Sequence, residues 1–162
     1  MLAILATGCS TSGLQFREDD RVRINAPSYR EKVELPLTIE WEVHGFEVSG
    51  PTGQPRDDAG YFAVLFDAEP PPPGESLAYF ARDDTSCRPE AGCPDEDYLA
   101  ARGVYITTQT EFHVERLAPT PGINVSRGEP DRHDVTIILL DGQGRRIGES
   151  VWTQPFEVVR EG

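Results

Sequence analysis

The sequence predicts an all-β fold, specifically an antiparallel sandwich of about seven strands with at most one short helix. Several segments alternate apolar and polar residues with a period of two, which is the pattern of strands that bury one face. Helical segments do not alternate with these strands, so a parallel sheet is not expected. The 162 residues include 15 glycines and 14 prolines, which supply the turns that many short strands need.

The first three strands are recognised by their apolar positions. Residues 21–25 alternate over a short stretch. Residues 37–44 alternate more clearly, and their apolar positions are Leu37, Ile39, Trp41 and Val43. Residues 61–66 are a continuous apolar run, which indicates a central strand buried on both faces. The glycine- and proline-rich residues 45–60 are expected to form a loop.

The second half of the chain continues the pattern. Short alternating segments at 104–108 and 112–114 precede the strongest strand signal, at 134–140. The Asp-Gly pair at 141–142 follows this strand and is the sequence most typical of a tight hairpin. The chain is therefore expected to return as a strand through residues 145–159.

Residues 68–103 form a long insertion between two predicted strands and show no strand periodicity. Connections of this length are uncommon and are often functional. Asp95 is expected to cap a short helix over residues 95–102, because an aspartate before a helix can accept a hydrogen bond from its first turn. The apolar side chains of residues 77–80 are expected to fold back over the core.

Cys87 and Cys93 lie within this insertion. Five residues separate them, a spacing that fits neither a zinc site nor a redox-active Cys-x-x-Cys pair. In an exported protein they are expected to form a local disulfide, which stabilises the fold by roughly 2–2.5 kcal/mol on a loop-entropy estimate. Tyr98, Arg88 and Glu90 are then the candidate contact surface for a partner. The alternative is that the disulfide only keeps the loop folded.

The N-terminus resembles that of a bacterial lipoprotein. Residues 6–9 resemble the lipobox, in which small residues precede a cysteine that becomes lipidated. Alanine stands where leucine is usual, and the positively charged start of an export signal is absent, so residues 1–8 are interpreted as a truncated signal segment. The resemblance implies lipid attachment at Cys9 and an anchor and tether over residues 9–20. The alternative is an incidental cysteine in a frayed terminus.

Residues 21–162 are predicted to form one domain. Trp41 in an alternating strand, together with the late hairpin, resembles the immunoglobulin-like sandwich of secreted domains over roughly residues 21–160. Lipoproteins of uncharacterised role often carry such a domain. The resemblance implies an extracytoplasmic domain of the bacterial cell envelope, and a closed β-barrel is the structural alternative.

The charge of the chain narrows the classes of partner. A formal net charge of −13 argues against nucleic acid and against an anionic membrane surface. A membrane is expected to be contacted only through a lipid on Cys9. We therefore expect a binding or envelope-structural module whose partner is an envelope or extracellular protein or a glycan.

Motifs of catalysis and cofactor binding are not found in the sequence. It lacks Gly-x-Ser-x-Gly and Ser-x-x-Lys, so no enzyme activity and no cofactor are expected. His44, His113 and His133 are too few for a copper–zinc cluster, each is expected at the surface or in a loop, and no metal site is expected. Acidic clusters in the loops keep a calcium- or carbohydrate-binding sandwich open as the alternative. A further alternative is an unrecognised envelope enzyme.

Overall fold

The computed structural model describes residues 19–87, 91–118, 130–149 and 151–159. Within these ranges the fold is mostly β, with one antiparallel and one mixed sheet. The elements in chain order are β1 (Val22–Ala26), β2 (Lys32–Val33), β3 (Leu37–Val43), β4 (Glu47–Val48), β5 (Ala59–Phe66), a 3₁₀ helix (Leu77–Ala81), α1 (Glu96–Ala100), β6 (Val104–Thr107), β7 (Glu111–Val114), β8 (Asp131–Asp141), β9 (Arg146–Ile147) and β10 (Thr153–Val158). The predominantly β fold class is therefore confirmed.

The smaller sheet is antiparallel and contains three strands in the order β1–β3–β7. Leu37 at the start of β3 is aligned with Val114 of β7, and Val43 at its end is aligned with Val22 of β1. The apolar positions of β3 are more buried than the polar ones over most of its length. The alternation predicted for this strand is confirmed.

The larger sheet is mixed and runs in the order β2–β10–β8–β5–β4, with β6 also beside β5 and β9 also beside β8. Its central strands, β5 and β8, are antiparallel over residues 60–66 and 135–141. The two-residue strands β2 and β4 add parallel pairs with β10 and β5. The purely antiparallel prediction missed these pairs because two residues are too few to show a period in sequence.

The strand count also differs from the prediction of about seven. The described residues contain ten strands, of which seven have at least four residues and three have only two. The predicted hairpin is present as β8–β9, where the Oδ1 of Asp141 accepts hydrogen bonds from the backbone N–H groups of Gln143 and Arg145. The aspartate therefore fixes the turn through its own side chain.

The main core lies between the two sheets. Its fully or largely buried side chains are Leu37, Ile39, Trp41, Phe62, Val64, Phe66, Val114, Val135, Ile137, Leu139, Ile147, Phe156 and Val158. The Trp41 and Phe62 rings meet edge to face, with 5.5 Å between their centroids. This contact joins the centre of the small sheet to the centre of the large one.

A second core lies on the opposite face of the large sheet, under the insertion. It contains Tyr61, Ala63, Leu65, Leu77, Leu99, Val104, Ile138 and Leu140. All eight residues of β5 are buried, as the continuous apolar run predicted. The insertion is therefore a third layer, and it covers a sheet face that would otherwise expose a large apolar surface.

The insertion contains two short helical segments. The carboxylate of Asp95 accepts a hydrogen bond from the Tyr98 N–H at 2.8 Å, which confirms the predicted cap of α1. The 3₁₀ helix at Leu77–Ala81 was not predicted, and the side chain of Ser76 caps it. Neither helix, in the part of the chain that the structure describes, is long and apolar enough to cross a membrane.

Candidate functional site

The insertion is attached to the hairpin by backbone pairing and by a buried arginine. The Gly74 N–H donates to the Arg146 carbonyl at 2.9 Å, and the Arg146 N–H donates to the Glu75 carbonyl at 2.8 Å. The Arg146 guanidinium donates to the carbonyls of Pro71 and Glu149. Burial lowers the pKa of Arg146 below its usual range. A buried cation thus holds the start of the insertion against the sheet.

The centre of the insertion is organised around Asp84. Its Oδ1 accepts hydrogen bonds from the Ser86 Oγ at 2.6 Å, the Ser86 N–H at 2.9 Å and the Cys87 N–H at 3.2 Å. Its Oδ2 accepts from the Tyr98 hydroxyl at 3.0 Å. These hydrogen bonds, led by those from Ser86, lower the pKa of Asp84 to about 2. Asp84 therefore joins the chain entering the disulfide loop to α1.

The predicted disulfide between Cys87 and Cys93 is present, with 5.4 Å between the two Cα atoms. Cys87 is buried and Cys93 is partly exposed. Because the Cys87 N–H also bonds to Asp84, the covalent and polar constraints meet at one residue. Both constraints fix the N-terminal end of the disulfide loop.

Tyr98, a predicted contact residue, is tied into this network. Its hydroxyl bonds to Asp84, and the guanidinium of Arg102 lies 3.5 Å from the centre of its ring. Burial and the bond to Asp84 raise the pKa of Tyr98. Tyr98 is partly buried, and its hydroxyl group makes its hydrogen bond to Asp84 within the insertion. The other predicted contact residues, Arg88 and Glu90, lie outside the described residues, as does Cys9.

A surface groove of about 530 Å³ runs beside the disulfide, and we call it the disulfide groove. Its lining residues are Glu75, Ser76, Ala78, Tyr79, Ala81, Arg82, Cys87, Cys93 and Pro94. The Arg82 guanidinium stacks 3.9 Å from the centre of the Tyr79 ring and also donates to the Tyr79 carbonyl. The groove therefore offers an aromatic side chain, a fixed cation and a carboxylate to a partner.

Two exposed aromatic side chains lie on neighbouring segments outside the insertion, and sequence reasoning did not single them out. Trp152 is 51% exposed and Tyr29 is 58% exposed. We call these two residues the aromatic surface. A period-2 pattern could not have identified them, because Tyr29 lies in a loop and Trp152 lies just before β10.

The histidines do not all lie where they were expected. His44 and His113 are exposed, and the register of β3 places His113 opposite Thr38, six residues before His44. Six residues of strand span roughly 20 Å, so these two histidines cannot share a metal ion. The prediction that each histidine lies at the surface or in a loop is wrong for His133, which is buried in β8.

His133 is enclosed by two carboxylates. Its Nδ1 lies 2.6 Å from Asp67 Oδ2, and its Nε2 lies 3.2 Å from Asp131 Oδ2. Asp67 also accepts a hydrogen bond from the Asp134 N–H. This cluster joins the end of β5 to the start of β8, where it fixes the end of the inter-sheet core.

Several acidic residues in the loops and in β4 are paired with arginines. Arg56 bonds to Asp58 at 3.0 Å and to Glu47 at 3.1 Å, and Arg21 bonds to Asp19 at 2.6 Å. Within the described ranges, no group of three or more His, Cys, Asp and Glu side chains is arranged to hold a metal ion.

Comparisons with protein families, with characterised proteins and with solved structures find no match for this chain.

Proposed function

We propose that the chain is a non-catalytic binding or structural module of the bacterial cell envelope, held at a membrane by a lipid on Cys9, and that the insertion is its contact surface. The observation that carries this proposal is the construction of the insertion. A disulfide, the hydrogen bonds to Asp84 and a buried arginine fix its shape, and insertion residues line the disulfide groove. A preformed surface loses little conformational entropy when a partner binds.

We also propose that the sandwich is immunoglobulin-like. In the constant-type fold one sheet contains strands A, B, E and D, and the other contains strands C, F and G. Counted in chain order, β1–β3–β7 corresponds to A, B and E and β5–β8–β10 to C, F and G, whereas β6, which takes the place of D, pairs with β5 in the larger sheet. The insertion would then follow strand C, at the position where variable-type domains carry additional strands.

Membrane attachment is tested in the full-length precursor by a Cys9→Ala variant. We expect the variant to move from the membrane fraction to the soluble fraction and to lose incorporation of labelled fatty acid. A Cys87→Ala, Cys93→Ala variant is the matched control, because it removes two cysteines and leaves Cys9 in place. Retention of the Cys9→Ala protein in the membrane fraction would contradict the proposal.

The contact surface is tested by site-specific photo-crosslinking in intact cells. A photoreactive amino acid at Tyr79, in the disulfide groove, is expected to give a discrete protein or glycan adduct. The control places the same amino acid at Val48, which is exposed on β4 and does not line the disulfide groove. Equal adducts from both positions, or none from Tyr79, would show that the insertion is not the contact surface.

A further inference from the structure

The orientation of Trp152 is fixed from inside the protein. Its Nε1–H donates to the Oε1 of Gln154 at 2.7 Å, and the Gln154 Nε2 donates to the Pro27 carbonyl at 3.2 Å. Gln154 is buried, and both ends of its amide are used by these two bonds. Because the indole N–H is already satisfied, Trp152 offers solvent mainly the apolar part of its ring.

The same glutamine connects the two members of the aromatic surface. Pro27 begins the loop that carries Tyr29, so the bond from Gln154 sets this loop against the start of β10. Arg30, the next residue, donates its backbone N–H to the Pro155 carbonyl at 2.7 Å, and its guanidinium lies 5.4 Å from the centre of the Tyr29 ring. The Trp152 ring and the loop that carries Tyr29 are thus held on one framework.

Within the aromatic surface, Trp152 lies close to the first residue that the structure describes. Asp19, the first described residue, lines the same small cavity as Val151 and Trp152. The nine residues between Cys9 and Asp19 reach at most about 30 Å when fully extended and about 15–18 Å as a flexible chain. A lipid on Cys9 would therefore keep this side of the domain within one tether length of the bilayer.

Charge is distributed unevenly between this side and the insertion. Residues 19–33 contain three acidic and four basic side chains, whereas residues 68–103 contain eight acidic and three basic ones. The net charge of −13 therefore does not lie on the segment next to the tether. This segment would therefore meet less electrostatic repulsion from a negatively charged membrane surface than the insertion would.

We propose that the aromatic surface rests in the headgroup region of the membrane to which Cys9 is tethered. Tryptophan and tyrosine are enriched in this region; here Trp152 presents the apolar part of its ring, and Tyr29 adds a ring with a polar hydroxyl. This inference rests on the proposed lipidation and replaces the expectation that only the lipid contacts the membrane. It would leave the disulfide groove free for a partner.

The test uses the lipidated full-length protein on phosphatidylcholine vesicles, with and without bromine on the acyl chains near the headgroups. Bromine quenches tryptophan only at short range. We expect the brominated vesicles to remove most of the Trp152 emission. Trp41 is 3% exposed and serves as the internal reference, because it lies in the core and should not respond. A Trp152→Phe variant should therefore show no quenching.

A matched variant moves the reporter to another side of the protein. Trp152→Phe combined with Tyr79→Trp keeps the tryptophan count and places the second tryptophan in the disulfide groove. We expect this variant to float with vesicles and to remain unquenched. Equal quenching of the two reporters would overturn the inference, because the contact would not be specific to the aromatic surface.

The remaining outcomes separate this inference from the proposed function. Flotation with the vesicles but unchanged Trp152 emission would overturn the inference and leave the anchor standing. Failure to float would overturn both. If iodide does not quench Trp152 before vesicles are added, residues 10–18 cover the ring. If soluble chitotriose shifts the Trp152 emission, the ring belongs to a sugar site. Either result would overturn the inference.

Discussion

The two faces of the large sheet are covered in different ways. The inner face packs against a second sheet through a large apolar cluster, and the buried His133 and its two carboxylates lie at one end of it. The outer face packs against the irregular insertion, whose apolar cluster is smaller and is supplemented by Arg146, the Cys87–Cys93 disulfide and Asp84. Two strands, β5 and β8, contribute side chains to both interfaces.

The difference follows from where backbone hydrogen bonds are made. A covering sheet satisfies its N–H and C=O groups in its own ladders, so its side chains are free to be apolar. An irregular chain has no ladder, so polar side chains such as Asp84 and Arg146 must bond to backbone groups instead. The outer layer should therefore open locally with less loss of free energy than the inner core.

The largest effect is expected from truncating one residue in each core. Phe62→Ala should lower the free energy of unfolding by about 3–5 kcal/mol, because Phe62 is fully buried between the sheets. Leu99→Ala, under the insertion, should lower the free energy of local opening of the insertion by about 2–5 kcal/mol. Hydrogen exchange should show faster exchange throughout the sandwich for the first variant and mainly in α1 for the second. The same exchange pattern in both would contradict independent layers.

Removal of the disulfide should have the next largest effect. A Cys87→Ser, Cys93→Ser variant is expected to destabilise the insertion by about 2–2.5 kcal/mol, since the reduced loop gains conformational entropy. Urea unfolding monitored by a probe on the insertion should shift to lower denaturant, while β5 and β8 exchange as in the parent protein. A shift of equal size in both regions would show that the two layers unfold as one unit.

A smaller effect is expected where the insertion rejoins the sheet. Gly103 has a positive φ of 73°, and a Cβ there would lie 2.4 Å from the Phe66 carbonyl oxygen. Gly53 has a similar φ of 76° and no atom within 4 Å of a Cβ. Gly53→Ala should therefore lower the free energy of unfolding by about 1 kcal/mol, because of the left-handed backbone alone. Gly103→Ala should lower it by about 2 kcal/mol, because the close contact is added. Thermal unfolding of the two variants measures the difference, and equal costs would mean that the close approach to Phe66 relaxes freely.

The inner layer could be predicted from the sequence, and the outer layer only in part. Period-2 alternation located β3, and the run 61–66 showed that β5 is buried on both sides. The alternation of β8 also places His133 in phase with the inward-facing Val135, so extending that period backward would have predicted its burial. What covers the outer face depends on contacts distant in sequence, which no local period records.

Asp84 shows the same limit on a smaller scale. The adjacent acidic residues 83–84 suggest a solvated surface, yet only one of them organises the loop. The local signal was the Ser two positions after Asp84, which permits an aspartate side chain to bond to the backbone ahead of it. The bond to Tyr98, fourteen residues away, had no such signal.

The smallest effect is expected from changing the pH, and it should be confined to the outer layer. The pKa of Asp84 is lowered from 3.8 to about 2, so the folded insertion favours the ionised carboxylate. Its contribution should be complete above about pH 4 and should be lost as the pH falls through about 2. The carboxyl carbon of Asp84 should titrate with a midpoint near 2 by NMR, together with the Ser86 and Cys87 amides. In Asp84→Asn these amides should no longer follow that titration. A midpoint at 3.8 would mean that the hydrogen bonds to Asp84 do not hold the outer layer.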